Sequence, residues 1–189
     1  MQKRFLTVII LIFLALAAKD WFFGDTLGGF VVPTKPPRVS IETKSAPNPL
    51  IVTRIVDGDT IVVLINGVSE KVRLIGVDTP ETVDPRKPVQ CFGKEASRFT
   101  ENLLLNNAVR LESDASQGDR DKYGRLLRYV FLEDGTLVNK KIISEGYGHE
   151  YTYRIPYKHQ SDFKNAERIA REAQKGLWAL GACALQNTK

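Results

Sequence analysis

The chain has 189 residues, of which 43% are hydrophobic and 26% charged, so it fits one compact domain with a short additional segment. This size excludes a multidomain protein, and the 14 glycines and nine prolines do not support a collagen-like, disordered or repeat architecture. The formal net charge of +5 suggests a polyanionic partner or an anionic membrane surface.

Most of this positive charge lies near the N-terminus. Residues 1–50 carry six basic and three acidic side chains, a net charge of +3, whereas the remaining residues carry 21 basic and 19 acidic side chains, a net charge of +2. The folded part is therefore not expected to have a large basic face. Any anion-binding site in the folded part must therefore be formed by a few specifically positioned residues.

The first residues have the pattern of an export signal. Lys3 and Arg4 precede the apolar run Phe5–Ala18, which is short for a membrane span of about 20 residues. Aromatic residues follow at 21–23, as at a membrane interface. Residues 1–25 are therefore predicted to be a cleaved signal peptide or an uncleaved signal-anchor, which would attach the chain to a membrane through residues 5–23. Both alternatives place the protein outside the cytoplasm, either secreted or anchored.

The next segment, residues 26–49, is predicted to be a Pro-rich linker. Five prolines lie between Thr26 and Pro49, and this density disfavours both helices and central strands. The folded domain is accordingly predicted at residues 50–180, and residues 181–189 are predicted to form a C-terminal tail.

Three strands are predicted at the start of this domain. Leu50–Val56 is rich in β-branched residues and is followed by a turn at Asp57-Gly58, after which Thr60–Ile65 resumes the strand pattern. Asn66-Gly67 is a strong hairpin signal, so Thr60–Ile65 and Val68–Val77 are expected to pair antiparallel.

The rest of the domain is predicted to alternate helices and short strands. Gly93–Asn106 has apolar residues at helical spacing, and Val109–Glu112 and Leu126–Leu132 are predicted strands. Val138–Glu145 and Ser161–Gln174 are predicted helices that end near glycines. Five short strands with a few helices indicate an α+β fold, namely a small closed barrel of the OB-fold type that carries three helices.

Acidic residues concentrate at predicted turns and strand ends, at Asp57, Asp59, Asp78 and Glu81. Carboxylates there can converge at one rim of a barrel, where two of them with a backbone carbonyl could bind a hard cation such as Ca²⁺ or Mg²⁺. Asp57 needs no function beyond shaping its Asp-Gly turn.

Two arginines are the basic counterparts of these carboxylates. The planar guanidinium groups of Arg73 and Arg125 match phosphate oxygens in pairs, and near a cation they could neutralise a phosphodiester in its transition state. An isolated arginine more often forms an ordinary surface ion pair. The combination with the carboxylates therefore carries the hypothesis.

Four ordered blocks of this chain resemble the staphylococcal nuclease-like (thermonuclease) family. They are Asp57-Gly58-Asp59-Thr60, the run from Arg73 to Glu81, Gly93-Lys94-Glu95-Ala96 and Asp121-Lys122-Tyr123-Gly124-Arg125. The similarity extends from about Val52 to Trp178. It implies an OB-fold barrel with three helices and a calcium-dependent hydrolysis of DNA or RNA phosphodiester bonds.

The resemblance also implies a calcium site. Asp59 and Asp78 match the carboxylate ligands of the family, and Thr79 matches the residue whose backbone carbonyl binds the ion. Ca²⁺ is therefore the expected cofactor. This agrees with the preference of Ca²⁺ for oxygen ligands.

The remaining roles follow from the same resemblance. Glu81 matches the proposed general base that activates or positions the attacking water, and Arg73 and Arg125 match the pair that binds the reacting phosphate. Lys122 and Tyr123 match contacts to the nucleotide phosphates. The expected substrate is DNA, RNA or both, and nothing in the sequence implies a protein partner.

Several other residues leave alternatives open. Cys91 and Cys183 could form a disulfide in an exported protein or remain two free thiols. The two histidines have no zinc-binding spacing. Tyr151 and Tyr153 alternate on a segment where the family that the chain resembles has tyrosines near its nucleotide pocket, but they could equally pack at the barrel edge.

Two rival functions remain at this stage. An OB-fold domain can bind nucleic acid without cleaving it, but such a binder has no use for a carboxylate cluster that would repel phosphate. A calcium-stabilised structural domain would not explain the two arginines.

Overall fold

The computed structural model describes residues 49–82 and 88–183. The predicted signal or anchor segment and nearly all of the Pro-rich linker lie outside this range, as do residues 184–189 of the predicted tail. Within the range that is described, no helix is long and apolar enough to cross a membrane.

Five strands form a closed barrel in the order β1-β2-β3-β6-β5. All neighbouring strands pair antiparallel except β3 and β6, which are parallel. The barrel strands are β1 (Leu50–Asp57), β2 (Thr60–Ile65), β3 (Val68–Leu74), β5 (Ala108–Glu112) and β6 (Leu126–Leu132). Two short strands, β4 (Val77–Asp78) and β7 (His149–Glu150), form a separate antiparallel pair.

In the part of the chain that the structure describes, three α-helices accompany the barrel, and the prediction of a five-stranded α+β barrel with three helices is confirmed. The helices are α1 (Gly93–Leu104), α2 (Val138–Ser144) and α3 (Gln160–Glu172), and a single 3₁₀ turn follows at Gly176–Trp178. In α1, Ala96, Thr100 and Leu104 are buried at a spacing of four residues, as an amphipathic helix requires.

The β2–β3 hairpin has the predicted geometry. Asn66 and Gly67 have φ angles of 50° and 80°, and Ile65 pairs with Val68 across the turn. Two consecutive positive φ angles are those of a type I′ turn, which matches the right-handed twist of the flanking strands.

The prediction of one strand over Val68–Val77 is wrong, because β3 ends at Leu74. Gly76 has a φ of +76°, and a Cβ built there would lie 2.6 Å from Cζ of Tyr157. Only glycine fits both the backbone conformation and the close approach of this ring. The chain turns at Gly76, and the next two residues form β4, which pairs with β7.

The barrel core is apolar, and buried polar side chains around it, such as Asn139 and Asp114, are hydrogen-bonded. The largest fully buried side chains include Tyr129, Phe163, Ile61, Leu74 and Leu104. The Tyr129 hydroxyl donates a 2.6 Å hydrogen bond to Oδ2 of Asp114, and it thereby avoids the cost of an unpaired buried hydroxyl.

Candidate active site

The turn between β1 and β2 positions the first acidic residues. Asp57 Oδ1 accepts a 3.2 Å hydrogen bond from the backbone N–H of Asp59, so Asp57 shapes its turn as predicted. The Thr100 hydroxyl of α1 donates a 2.7 Å bond to the Gly58 carbonyl and fixes the turn to the helix. A Cβ at Gly58 would lie 2.8 Å from Thr79 side-chain atoms, so this turn sits directly against the end of β4.

Asp59 and Asp78 converge on Arg73. Nη2 of Arg73 lies 3.1 Å from Oδ2 of Asp59 and 3.0 Å from Oδ1 of Asp78. Oδ2 of Asp59 also accepts a 2.9 Å bond from the backbone N–H of Thr79. The structure therefore brings Asp59, Arg73, Asp78 and Thr79 together, although they come from the β1–β2 turn, β3 and the end of β4.

Burial makes this acidic cluster electrostatically unfavourable. Burial, followed by the negative charge of Asp59, raises the pKa of Asp57 to about 7. Burial also raises the pKa of Asp78, and the positive charge of Arg73 opposes this rise. Carboxylates that resist ionisation in this way would ionise more readily if a further cation were bound beside them.

Arg125 is held by Asp121 four residues earlier. Oδ2 of Asp121 lies 2.7 Å from both Nε and Nη2 of Arg125, and Oδ1 accepts backbone hydrogen bonds from Tyr123 and Arg125. Nη1 of Arg125 donates a 3.3 Å bond to the Thr60 hydroxyl, which donates a 3.0 Å bond to Oδ1 of Asp59. This network connects Arg125 to the carboxylate cluster.

A groove of about 730 Å³ opens beside these groups. Among its lining residues are Arg73, Asp78, Lys122, Tyr123, Arg125, Tyr151 and Tyr153. Tyr123 is 72% exposed, and Nζ of Lys122 and Cζ of Arg125 lie 4.9 Å and 5.3 Å from its ring centroid. The groove thus combines four guanidinium groups, since Arg120 and Arg154 also line it, with an ammonium group and exposed aromatic rings, which suits a polyanion that carries planar bases.

The two tyrosines whose role the sequence left open lie in this groove. Tyr151 and Tyr153 are 42% and 61% exposed, and their ring centroids are 6.4 Å apart. Such exposure does not support the alternative of barrel-edge packing. The sequence signals for this placement were their alternation on an extended segment and the family resemblance.

Glu81 lies three residues after Asp78, and its negative charge contributes to the raised pKa of Asp78. Its Oε1 accepts a 2.9 Å hydrogen bond from the backbone N–H of Thr82. Glu81, Asp59 and Thr79 are not among the residues that line the groove.

The segment before α1 is linked covalently to the C-terminal part of the chain. A disulfide joins Cys91 to Cys183, whose Cα atoms are 5.6 Å apart.

In residues 49–82 and 88–183, no group of three or more His, Cys, Asp and Glu side chains is arranged to hold a metal ion. The expected ligand set contains only two carboxylates, Asp59 and Asp78, together with a backbone carbonyl. Because oxygens of both carboxylates lie within 3.1 Å of one guanidinium nitrogen, they are close enough together to share a cation. These hard oxygen donors fit Ca²⁺.

Comparison with known proteins identifies the family of this site. The family model of staphylococcal nuclease homologues matches residues 71–180. The thermonuclease of Staphylococcus hyicus is 45% identical over 128 residues, which are 68% of this chain and 74% of that protein.

This chain belongs to the staphylococcal nuclease family.

Other relatives support the assignment. The thermonuclease of Staphylococcus intermedius is also 45% identical, with the same coverage of both chains. Endonuclease YncB of Bacillus subtilis is 40% identical over 67% of this chain and 59% of its own length. The resemblance noted from the four sequence blocks is thus confirmed.

Sequence reasoning did not assign a role to two residues of this staphylococcal nuclease site. Asp121 lies in one of the four family blocks, four residues before Arg125. This spacing is typical of ion pairs on helices, although residues 121–125 are not helical. Thr60 gave no signal of its contact with Arg125, because that contact depends on the parallel pairing of β3 and β6.

Proposed function

We propose that this nuclease hydrolyses phosphodiester bonds of DNA, RNA or both with Ca²⁺ as its cofactor, and that it does so outside the cytoplasm. The observation that carries the proposal is the convergence of Asp59 and Asp78 on Arg73, beside a groove to which Arg125 also contributes. A phosphodiester that reacts there would meet both the cation site and two guanidinium groups.

Asp59, Asp78 and the backbone carbonyl of Thr79 would hold the calcium ion. When bound, the ion supplies positive charge for the developing negative charge on the phosphate oxygens. It would also favour the ionised form of Asp78, whose pKa is otherwise raised by burial.

The side chains of this chain perform the remaining steps. Arg73 and Arg125 donate hydrogen bonds to the phosphate oxygens, and these bonds strengthen as charge accumulates in the transition state. Glu81 accepts the proton of the attacking water as general base. Lys122 binds a neighbouring phosphate of the nucleotide, while Tyr123 offers its exposed ring and hydroxyl at the groove.

The proposed location rests on the N-terminal sequence and on the disulfide. Residues 1–25 have the pattern of a signal peptide or signal-anchor, with residues 5–23 as the segment that would attach to a membrane. A disulfide such as Cys91–Cys183 persists in oxidising compartments. The membrane-anchored and the secreted forms can be distinguished by whether the protein fractionates with membranes.

A cleavage assay tests the catalytic proposal. The exported protein is incubated with single-stranded DNA and with RNA, in Ca²⁺ or in chelator, beside the Glu81→Gln and Arg125→Ala variants. Glu95→Gln, on the exposed face of α1, and Arg168→Ala, on α3, are matched control substitutions. We expect cleavage only with Ca²⁺, and a loss of at least about 100-fold in kcat for Glu81→Gln and Arg125→Ala, since single catalytic groups contribute about 10²–10⁴-fold. Undiminished cleavage in chelator, or equal rates in all four variants, would contradict the proposal.

A further inference from the structure

We propose that the Cys91–Cys183 disulfide sets the catalytic rate of this enzyme, because it anchors Gln90, a positioning residue that holds the main chain of Glu81. The inference rests on the role of Glu81 as general base that is proposed above. This role of the disulfide makes the nuclease sensitive to thiol reductants, which act on a bond that lies outside the groove.

Gln90 forms hydrogen bonds with both main-chain groups of Glu81, the N–H and the carbonyl. The backbone N–H of Glu81 donates a 2.8 Å hydrogen bond to Oε1 of Gln90, and the carbonyl of Glu81 accepts a 2.9 Å bond from the backbone N–H of Gln90. The two bonds hold Gln90 directly against the main chain of Glu81. A shift of Gln90 therefore moves the peptide groups on both sides of the Glu81 Cα.

Gln90 is held by the start of α1 and by the disulfide. Its carbonyl accepts a 3.0 Å hydrogen bond from the backbone N–H of Gly93. Cys91 is the next residue, so its covalent bond to Cys183 fixes the chain one residue from Gln90. Phe92, which follows, has a φ of 68°, in the sparsely populated left-handed region for a side chain of this size. Such a backbone persists only where its surroundings hold it, and the bridge is one of these constraints.

The chain that leads to Cys183 is fixed by contacts with Gly146 and His149. The backbone N–H of Leu177 donates a 2.8 Å bond to the Gly146 carbonyl, and the Trp178 ring lies edge-on to His149, with centroids 4.9 Å apart. His149 pairs with Asp78 in the β4–β7 sheet. The disulfide therefore ties the segment that carries the general base to the segment that is packed behind a proposed metal ligand.

Reduction would remove this tie. A dithiol such as dithiothreitol donates two electrons and two protons, so the sulfur–sulfur bond becomes two thiols while the dithiol is oxidised to its own disulfide. Gln90 then keeps its hydrogen bonds but loses its covalent anchor. A displacement of about 1 Å in a catalytic group can cost about 100-fold in rate, so a partial loss of position is expected to lower kcat by about 10-fold.

Substrate affinity is expected to change little. Arg125 and the neighbouring turn with Lys122 and Tyr123 are fixed by Asp121, not by the bridge. A defect in positioning the base therefore predicts a lower kcat with KM within about twofold of the oxidised enzyme. A general loss of folded protein would lower the apparent kcat in the same way, in proportion to the unfolded fraction, so the comparison requires variants that are fully folded.

The test measures kcat and KM for single-stranded DNA in Ca²⁺, with the full chain, at a temperature where every variant is folded by circular dichroism. The double variant Cys91→Ser/Cys183→Ser and the single variant Gln90→Ala should each lose about 10-fold in kcat. Gln90→Glu keeps an acceptor oxygen and should restore most of the activity. Dithiothreitol should lower kcat of the wild type equally and have no effect on the double variant.

Val109→Ala is the matched control for stability. Val109 is buried in β5 of the barrel, so its truncation destabilises the fold while the disulfide and Gln90 remain. Wild-type kcat in this variant, at a melting temperature as low as that of the double serine variant, would exclude instability as the cause.

The outcomes separate the inference from the function on which it rests. If the oxidised wild type does not cleave, or if Glu81→Gln has wild-type kcat, the proposed function of Glu81 is wrong and the inference falls with it. If Glu81→Gln is impaired but the double serine variant has kcat within twofold of wild type, only the inference is overturned. Equal loss of kcat in Gln90→Ala and Gln90→Glu would also overturn it.

Discussion

Replacing Asp121 by asparagine separates the two tasks of this side chain. Its Oδ1 accepts the backbone N–H groups of Tyr123 and Arg125 at 2.9 Å and 3.0 Å, while its Oδ2 binds the Arg125 guanidinium. Asparagine keeps an acceptor oxygen for the backbone but replaces the second oxygen by an NH₂ group, which cannot accept from a guanidinium. The turn should therefore survive, and the orientation of Arg125 should not.

The size of the effect follows from this contact. Hydrogen bonds between charged groups contribute about 1.5–3 kcal/mol, and the 25% and 16% exposure of the two side chains reduces this to about 1–2 kcal/mol. If the contact keeps Arg125 aimed at the phosphate in the transition state, kcat/KM should fall by about 5- to 30-fold, because 1.4 kcal/mol corresponds to a factor of ten. The free energy of unfolding should fall by less, because Arg125 can reach solvent once released.

The assay compares initial rates on single-stranded DNA in Ca²⁺ for Asp121→Asn and Asp119→Asn. Asp119 belongs to the same loop, is 68% exposed and pairs with Arg128 instead. It therefore receives the same chemical change without a contact to Arg125. The reasoning is refuted if Asp121→Asn keeps kcat/KM within twofold of wild type, or if Asp119→Asn loses as much.

Three further predictions concern stability and are tested by urea or thermal unfolding. Gly76→Ala should lower the free energy of unfolding by at least about 2 kcal/mol, because it adds the Tyr157 clash to backbone strain, whereas Gly135→Ala, with a φ of +85° and nothing within 4 Å, should lose only about 1 kcal/mol. The Cys91→Ser/Cys183→Ser variant should lose about 4–5 kcal/mol, since the bridge closes a loop with a separation of 92 residues, and a loss below about 1 kcal/mol would contradict the chain-entropy argument. Asp114 is buried, which alone would raise its pKa, but hydrogen bonds from Lys158, Tyr129 and Ser116 lower that pKa to about 2. Because the folded-state pKa lies below the unfolded value of 3.8, the ionised carboxylate stabilises the fold above that pH by about 2 kcal/mol, and this is lost as pH falls from about 5 to 2. Asp114→Asn should make the free energy of unfolding depend less steeply on pH in this range. An unchanged pH dependence would refute the proposed contribution of Asp114.

The sequence was sufficient for most of the barrel because its turns have local causes. Asn66-Gly67 specifies its own hairpin, and alternating β-branched residues specify the strands on either side of it. The break at Gly76 was missed because the residues around it, Ile75 and Val77, continue the β-rich pattern. Gly76 itself is a local signal, since a glycine inside a strand pattern suggests a bulge or a close approach, but the Tyr157 ring that approaches it lies 81 positions later in the chain.

The candidate site likewise has residues that could be predicted from the sequence and contacts that could not. Asp59, Arg73, Asp78 and Glu81 were found because they stand in contiguous motifs. The contacts that orient them were not found, since no motif relates the residues that they join: 20 residues separate Asp59 from Thr79, and five separate Arg73 from Asp78. The Gln90–Glu81 pair shows why: nine residues separate them, and neither residue type nor spacing distinguishes this pair from an ordinary solvated loop.

The spacing of the two arginines depends on the single parallel strand pair of the barrel. Arg73 lies opposite Leu127 in the β3–β6 ladder, and Arg125 precedes Leu127 by two residues. Alternate residues of a strand face the same side, so this register presents both guanidinium groups toward the same groove. A slip of one residue would turn one of them away. The aligned register therefore determines the distance between the two guanidinium groups that are proposed to bind phosphate. Thr60 lies opposite Arg73 on β2, and its hydroxyl links Arg125 to the Asp59 carboxylate, which Arg73 contacts directly.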